Sequence, residues 1–207
     1  MLPGLYAIAD ASVLAACGVS LEEYAKGLRE AGVTLVQYRD KTGSPQELLR
    51  AAAILQEAFA GSGCRLIMND RADLAVLAGF HGVHVGHLDL SPADAKRVLG
   101  EEGIVGVSTH NEEQVRVAEL SCADYVAFGP VFSTGTKVDT EPVVGLPGLQ
   151  RARELTSKPL VAIGGIAREN ARRVIDAGAD SVAVISGLLR HGESIEKVAR
   201  DFLDVLR

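Results

Sequence analysis

Short apolar runs rich in Val, Ile and Leu recur along the chain, separated by longer stretches whose apolar positions fall three or four residues apart. The short runs read as strands buried on both faces and the longer stretches as helices covering them, an alternation that predicts a parallel sheet. Strands are expected at 5–9, 34–38, 65–68, 82–85, 104–107, 125–128, 160–163 and 181–185. This is the number that closes an α/β chain into a (β/α)8 TIM barrel.

The helical stretches carry their own punctuation. Apolar spacing predicts helices over 20–31, 45–60, 168–177 and 194–206. Ser91-Pro92 has the form of an N-cap followed by proline at the first helical position, and Asn111-Glu112-Glu113-Gln114 that of an N-cap with an acidic first turn. Gly32 and Gly178 mark helix ends before the next strand. The longest interruption, 129–149, has no clear period and reads as a functional loop. No Pro/Ser-rich linker divides the chain, so residues 1–207 are expected to form a single domain.

Composition narrows the function classes. A net charge of -6 argues against a nucleic-acid surface, which normally gathers basic side chains on one face. Anionic small molecules remain compatible with locally placed cations, and a homo-oligomer is compatible with the whole. Cys17, Cys64 and Cys122 lack zinc-ligand spacing and are expected to be reduced, structural thiols, following the usual burial of free cysteine. Leu14-Ala15-Ala16-Cys17 looks like a lipoprotein cleavage site, but no basic segment precedes it and Asp10 interrupts the apolar stretch. No apolar run approaches the roughly 20 residues of a membrane helix. A cytoplasmic protein with no membrane partner is the expectation.

In a barrel, residues following the strands converge on the carboxyl-terminal mouth. That gathers Gln37, Arg39, Lys41, Asn69, Asp70, Asp89, Ser108, Thr134, Thr136, Lys137, Gly164, Gly165 and Ser186. Asp70 and Asp89, at successive strand ends, are suited to sharing a hard cation such as Mg²⁺, whose other positions go to water and substrate phosphates. Strand alternation turns Gln37, Arg39 and Lys41 the same way if the extended backbone continues. Arg forks phosphate oxygens and Lys supplies a mobile point charge. Gly164-Gly165 lets backbone amides approach a phosphate, with Ser186 adding a hydroxyl.

Plainer readings exist for each group. Arg39-Asp40-Lys41 could be a solvated turn with local ion pairs, Asp70 a cap for a helix starting at Arg71, Asp89 part of a turn before Ser91, and Gly164-Gly165 a steric turn. His84, His87 and Asp89 could form a transition-metal cluster, although a change of backbone at Gly86 separates them. His110 could open a helix or handle a proton at the mouth.

Taken in order, Leu5-Tyr6-Ala7-Ile8-Ala9-Asp10, Val36-Gln37-Tyr38-Arg39-Asp40-Lys41, Leu66-Ile67-Met68-Asn69-Asp70-Arg71, Gly82-Val83-His84-Val85-Gly86, Gly106-Val107-Ser108-Thr109-His110, the segment from Gly129 to Lys137 and Val161-Ala162-Ile163-Gly164-Gly165-Ile166 resemble the thiamine-phosphate synthase family. The resemblance runs through Ser186. It implies a (β/α)8 barrel that joins hydroxymethylpyrimidine diphosphate to thiazole phosphate, giving thiamine monophosphate and pyrophosphate. Position by position it implies Asp70 and Asp89 as Mg²⁺ ligands, and Arg39, Lys41, Asn69, Ser108 and Lys137 around the diphosphate. It also implies Gln37 facing the pyrimidine, with Thr134, Thr136, Gly164, Gly165 and Ser186 forming the thiazole-phosphate cradle. The chain departs at His87-Leu88, where the family commonly has glutamine and an acidic residue. A thiazole tautomerase of the same superfamily, or a non-catalytic phosphate-binding barrel, is the alternative reading.

Overall fold

A computed structural model of the chain describes residues 2–134 and 141–207. Eight strands, β1 (Leu5–Asp10), β2 (Leu35–Arg39), β3 (Arg65–Asn69), β4 (Gly82–Val85), β5 (Ile104–Thr109), β6 (Tyr125–Phe128), β7 (Leu160–Ala162) and β8 (Ser181–Val184), pair in sequence order. Every pair is parallel, and β1 closes on β8 through Leu5↔Val182, Tyr6↔Ala183 and Ala7↔Val184. The expected (β/α)8 barrel is therefore what the chain forms.

The helices are α1 (Ala11–Cys17), α2 (Leu21–Ala31), α3 (Pro45–Ala58), α4 (Ala72–Leu77), α5 (Pro92–Leu99), α6 (Glu112–Leu120), α7 (Gly145–Leu155), α8 (Arg168–Asp176) and α9 (Ile195–Val205). Ser20, Ser44, Ser91, Asn111 and Ser194 cap their helices by accepting a backbone N–H three residues on. Gly32 ends α2 in the left-handed conformation. The irregular stretch is shorter than its sequence suggests, because Gly145 to Leu149 already belong to α7. Gly145, Pro147 and Gly148 look like breakers, but all lie in a first turn, where proline is tolerated. Helices α1 and α4 are too short to register a period. Leu14-Ala15-Ala16-Cys17 lies within α1, directly after a barrel strand, with Leu14 buried.

Strand alternation sorts side chains between two cores. One side of the strands, with Leu5, Ala7, Val36, Leu66, Met68, Val126, Phe128, Val182 and Val184, joins the layer that packs against Tyr24, Leu28, Leu55, Val174 and Phe202 of the helices. The other side fills the barrel with Tyr6, Leu35, Ile67, Tyr125, Ala127, Val161 and Ala183. Cys64 is buried, while Cys17 and Cys122 are exposed, so the expected burial of all three thiols is corrected for two; the three are free. Among the described residues no helix is long and apolar enough to cross a membrane.

A single glycine shapes the barrel interior. Gly106 pairs with His84 on one side and Tyr125 on the other. Because it has no side chain, the Tyr125 ring lies across β5 and stacks on His84, with centroids 5.6 Å apart and planes inclined by 24°. A Cβ on Gly106 would sit 1.9 Å from Tyr125 Cζ. Gly106→Ala is expected to lower the unfolding free energy by roughly 1–3 kcal/mol through overpacking, read as a shift of the urea midpoint at constant m-value; an unshifted midpoint would show that the ring is not held against β5.

Candidate active site at the barrel mouth

The carboxyl ends of the strands build the mouth from one pair of neighbours to the next. Asp10 ends β1 in register with Arg39 at the end of β2. Its carboxylate is buried and caps α1, accepting from Val13 N at 3.0 Å and Ser12 Oγ at 2.6 Å, and its second oxygen forms an ion pair with Arg39 Nη1. Arg39 is thus a braced cation rather than a solvated one. Strand β2 stops at Arg39, and Asp40 turns the chain by accepting from Thr42 N and Gly43 N at 2.9 and 2.8 Å. Lys41 nevertheless comes back to the rim, where Nζ lies 2.5 Å from Asp70 Oδ2. Only Asp40 makes the local turn contacts; the two cations pair with neighbouring strands.

Asn69 and Asp70 follow β3. Asn69 is buried, and its Nδ2 is the buried side-chain polar atom without a hydrogen-bond partner among the described residues. Such an orphan donor at a rim otherwise well paired fits a group that donates to a ligand oxygen. Asp70 has φ of +61° and does not cap α4, whose N-cap is Arg71. The unusual backbone turns its carboxyl to Lys41 and brings it close enough to Asp89 for the two carboxyls to interact. Burial raises the Asp70 pKa; Lys41 opposes that shift and the neighbouring Asp89 carboxyl reinforces it. Asp89 is held from behind, its Oδ2 accepting from Gly86 N at 2.7 Å. Two carboxyls converge from β3 and β4 with a lysine against one of them. A hard divalent cation suits this all-oxygen donor set.

The histidines have other duties. His84 sits inside the barrel, Nδ1 2.9 Å from the Tyr125 hydroxyl and Nε2 2.8 Å from Ser108 Oγ. Its ring is taken up by the core, which removes it from a cluster with His87 and Asp89. Among the described residues, no three His, Cys, Asp or Glu side chains gather as a metal site. His110 Nδ1 lies 2.6 Å from the Gly129 carbonyl, and His110 N donates to Gln114 Oε1 at 2.7 Å, tying the entry of α6 to the end of β6. Leu88, between His87 and Asp89, is almost wholly exposed.

On the opposite arc, Thr134, Gly165 and Ser186 line one open pocket of about 640 Å³ together with Ser133, Ile166 and Ala167. Gly164 and Gly165 both have positive φ, 91° and 64°. A Cβ on Gly164 would lie 2.4 Å from Pro130 Cβ, and one on Gly165 2.5 Å from the Ser133 carbonyl. Glycine is required by backbone conformation and close approach together. Val131 N and Phe132 N donate to Ile163 O and Gly164 O, strapping the segment after β6 to the end of β7. The pocket also meets the start of α8 at Ala167 and takes in Glu169 and Arg190, which pair with each other; a helix N-terminus is a feature suited to an anion. Thr136 and Lys137 lie outside the described residues.

The sequence alone assigns no role to Asp10, Tyr6 or Tyr125. Asp10 interrupts an apolar run and closes a segment that carries the family resemblance; its partnership with Arg39 follows once the β1–β2 register is known. The tyrosines resemble ordinary core aromatics until their hydroxyls are followed into the barrel.

Together these features define an enzyme-like (β/α)8 barrel whose mouth carries carboxylates and cations on one arc and a glycine-lined pocket on the other. Residues 5–188 match the family model described as thiamine monophosphate synthase, and the chain belongs to that family. A thiamine-phosphate synthase of Koribacter versatilis is 53% identical over 99% of this chain and 96% of its own length. One of Clostridium novyi is 39% identical over 91% and 92%. A solved thiamine phosphate pyrophosphorylase from Pyrococcus furiosus superposes with a TM-score of 0.86 at 30% identity, covering 98% of this chain and 95% of that one.

Gly165→Ala tests the cradle directly. The variant is expected to bind inorganic phosphate at least about tenfold more weakly by calorimetric titration, a loss of ~1.4 kcal/mol; equal affinity would place the anion elsewhere.

Proposed function

We propose that this chain is a cytoplasmic enzyme that condenses hydroxymethylpyrimidine diphosphate with thiazole phosphate, forming thiamine monophosphate and releasing pyrophosphate. Family membership supports the activity. The observation that carries the chemistry is the convergence of Asp70 and Asp89 beside Lys41. Asp70 and Asp89 would hold Mg²⁺, which supplies charge neutralisation at the diphosphate when bound.

The protein's own groups do the rest. Arg39, braced by Asp10, and Lys41, paired with Asp70, face the leaving group with fixed and mobile charge respectively. Lys137 completes the cationic set in this proposal. Asn69 offers its unpartnered amide to a diphosphate oxygen, and Ser108 adds a hydroxyl. Gln37 would face the pyrimidine, while Thr134, Thr136, Gly164, Gly165 and Ser186 would hold the thiazole phosphate.

The C–O bond to the diphosphate breaks first in this scheme, leaving both bonding electrons on pyrophosphate and a methylene cation stabilised by the electron-rich pyrimidine. The thiazole nitrogen then forms the new C–N bond with its lone pair. It needs no deprotonation, so preorganised charge matters more than a general base. Water must be kept from the cation. A tautomerase has no use for the paired carboxylates and basic rim, which are retained here.

Purified protein given both substrates and Mg²⁺ should form thiamine phosphate and pyrophosphate in equal amounts; absence of both products would reject the assignment. Asp89→Asn is expected to raise the Mg²⁺ concentration for half-maximal turnover by about tenfold or more, equivalent to ~1.4 kcal/mol of lost metal affinity. An unchanged Mg²⁺ titration would exclude Asp89 as a ligand.

A further inference from the structure

A continuous line of hydrogen bonds crosses the barrel interior and joins two sides of the mouth. Gln37 Nε2 donates to the Tyr6 hydroxyl at 2.7 Å, Tyr6 Oη lies 2.9 Å from Tyr125 Oη, Tyr125 Oη lies 2.9 Å from His84 Nδ1, and His84 Nε2 lies 2.8 Å from Ser108 Oγ. The two tyrosine rings meet edge to face, with centroids 5.9 Å apart and planes at 82°. Both are fully buried, and burial raises both hydroxyl pKa values. Each tyrosine therefore keeps its single proton and has one donor to place.

Proton counting gives the line a direction. Tyr6 accepts from Gln37, so its proton is directed to Tyr125, its other hydrogen-bond neighbour in the core. Tyr125 then donates to His84 Nδ1, which must be unprotonated, and His84 Nε2–H donates to Ser108 Oγ. Ser108, only partly buried, has its own proton left for the mouth. If His84 carried its proton on Nδ1, or on both nitrogens, Tyr125 would have to donate to Tyr6. As long as the Gln37 amide donates to Tyr6, the Tyr6 proton would then be stranded in a dry interior, and a buried unsatisfied donor is costly.

The geometry points to a polarised relay in which Tyr6 and Tyr125 lock His84 as the neutral Nε2–H tautomer and make Ser108 a hydrogen-bond donor to an anionic oxygen of the substrate. His84, Tyr6 and Tyr125 are positioning residues in this scheme, and His84 is not a base. The same direction leaves Gln37 Oε1 as the amide's acceptor. The mouth then offers an acceptor beside β2 and a donor beside β5, a pairing suited to a ligand with an amino group at one end and a phosphate at the other. Only this last match rests on the proposed function; the direction of the relay belongs to the protein alone.

Nitrogen-15 spectra of the labelled protein without substrates read the tautomer at neutral pH. His84 is expected to carry its proton on Nε2, and protonation on Nδ1 or on both nitrogens would overturn the proposal. In Tyr125→Phe, His84 should shift toward the Nδ1–H form, while kcat falls about tenfold and KM for the diphosphate changes less than about twofold, as for a donor that acts chiefly on developing charge. An unchanged tautomer in that variant would also overturn it. Should Tyr125→Phe fail to fold, Tyr6→Phe breaks the line one link earlier, and the parent spectrum still decides the direction. An Nε2–H tautomer in a protein that makes no thiamine phosphate would leave the relay standing and remove the functional reading.

Discussion

Closing eight parallel strands leaves their carboxyl ends on one rim and seals the space between them. The rim can gather residues distant in sequence, but any polar group placed inside must find a partner there. Both consequences are visible in this chain. Asp10, Arg39, Lys41, Asp70 and Asp89 come from four consecutive strand ends and meet as pairs across the register. Beneath them, Gln37, Tyr6, Tyr125, His84 and Ser108 satisfy one another in a single file.

The two halves of the mouth are assembled by different means. On the β1–β4 side, side chains brace one another through ion pairs, and geometry depends on charge. On the β6–β8 side the backbone does the work, through two glycines with positive φ and a strap of amide bonds from Val131 and Phe132. Backbone amides suit a phosphate that is only held in place. Movable charges suit a group whose charge grows as it leaves.

Much of this was legible in the sequence because barrel strands are short, apolar and regularly spaced; the expected spans at 82–85 and 125–128 coincide with β4 and β5's neighbour β6. Rim residues such as Asn69, Asp70 and Gly165 followed from being next after a strand. What stayed hidden depended on register or on side-chain reach. The Asp10–Arg39 pair needs the alignment of β1 with β2, and the stacking of Tyr125 on His84 needs Gly106 between them. The start of α7 was masked because glycine and proline in a first turn look the same as glycine and proline in a loop.

The bracing of Arg39 has a further consequence for recognition. Its guanidinium is mostly buried and tied to a carboxylate that also anchors the beginning of α1, whereas Lys41 is about half exposed at 51%. One cation is held by its surroundings, and the other pairs with Asp70 while half of its side chain faces solvent. Under the proposed function, the arginine would set where an anion sits and the lysine would adapt to the anion's length.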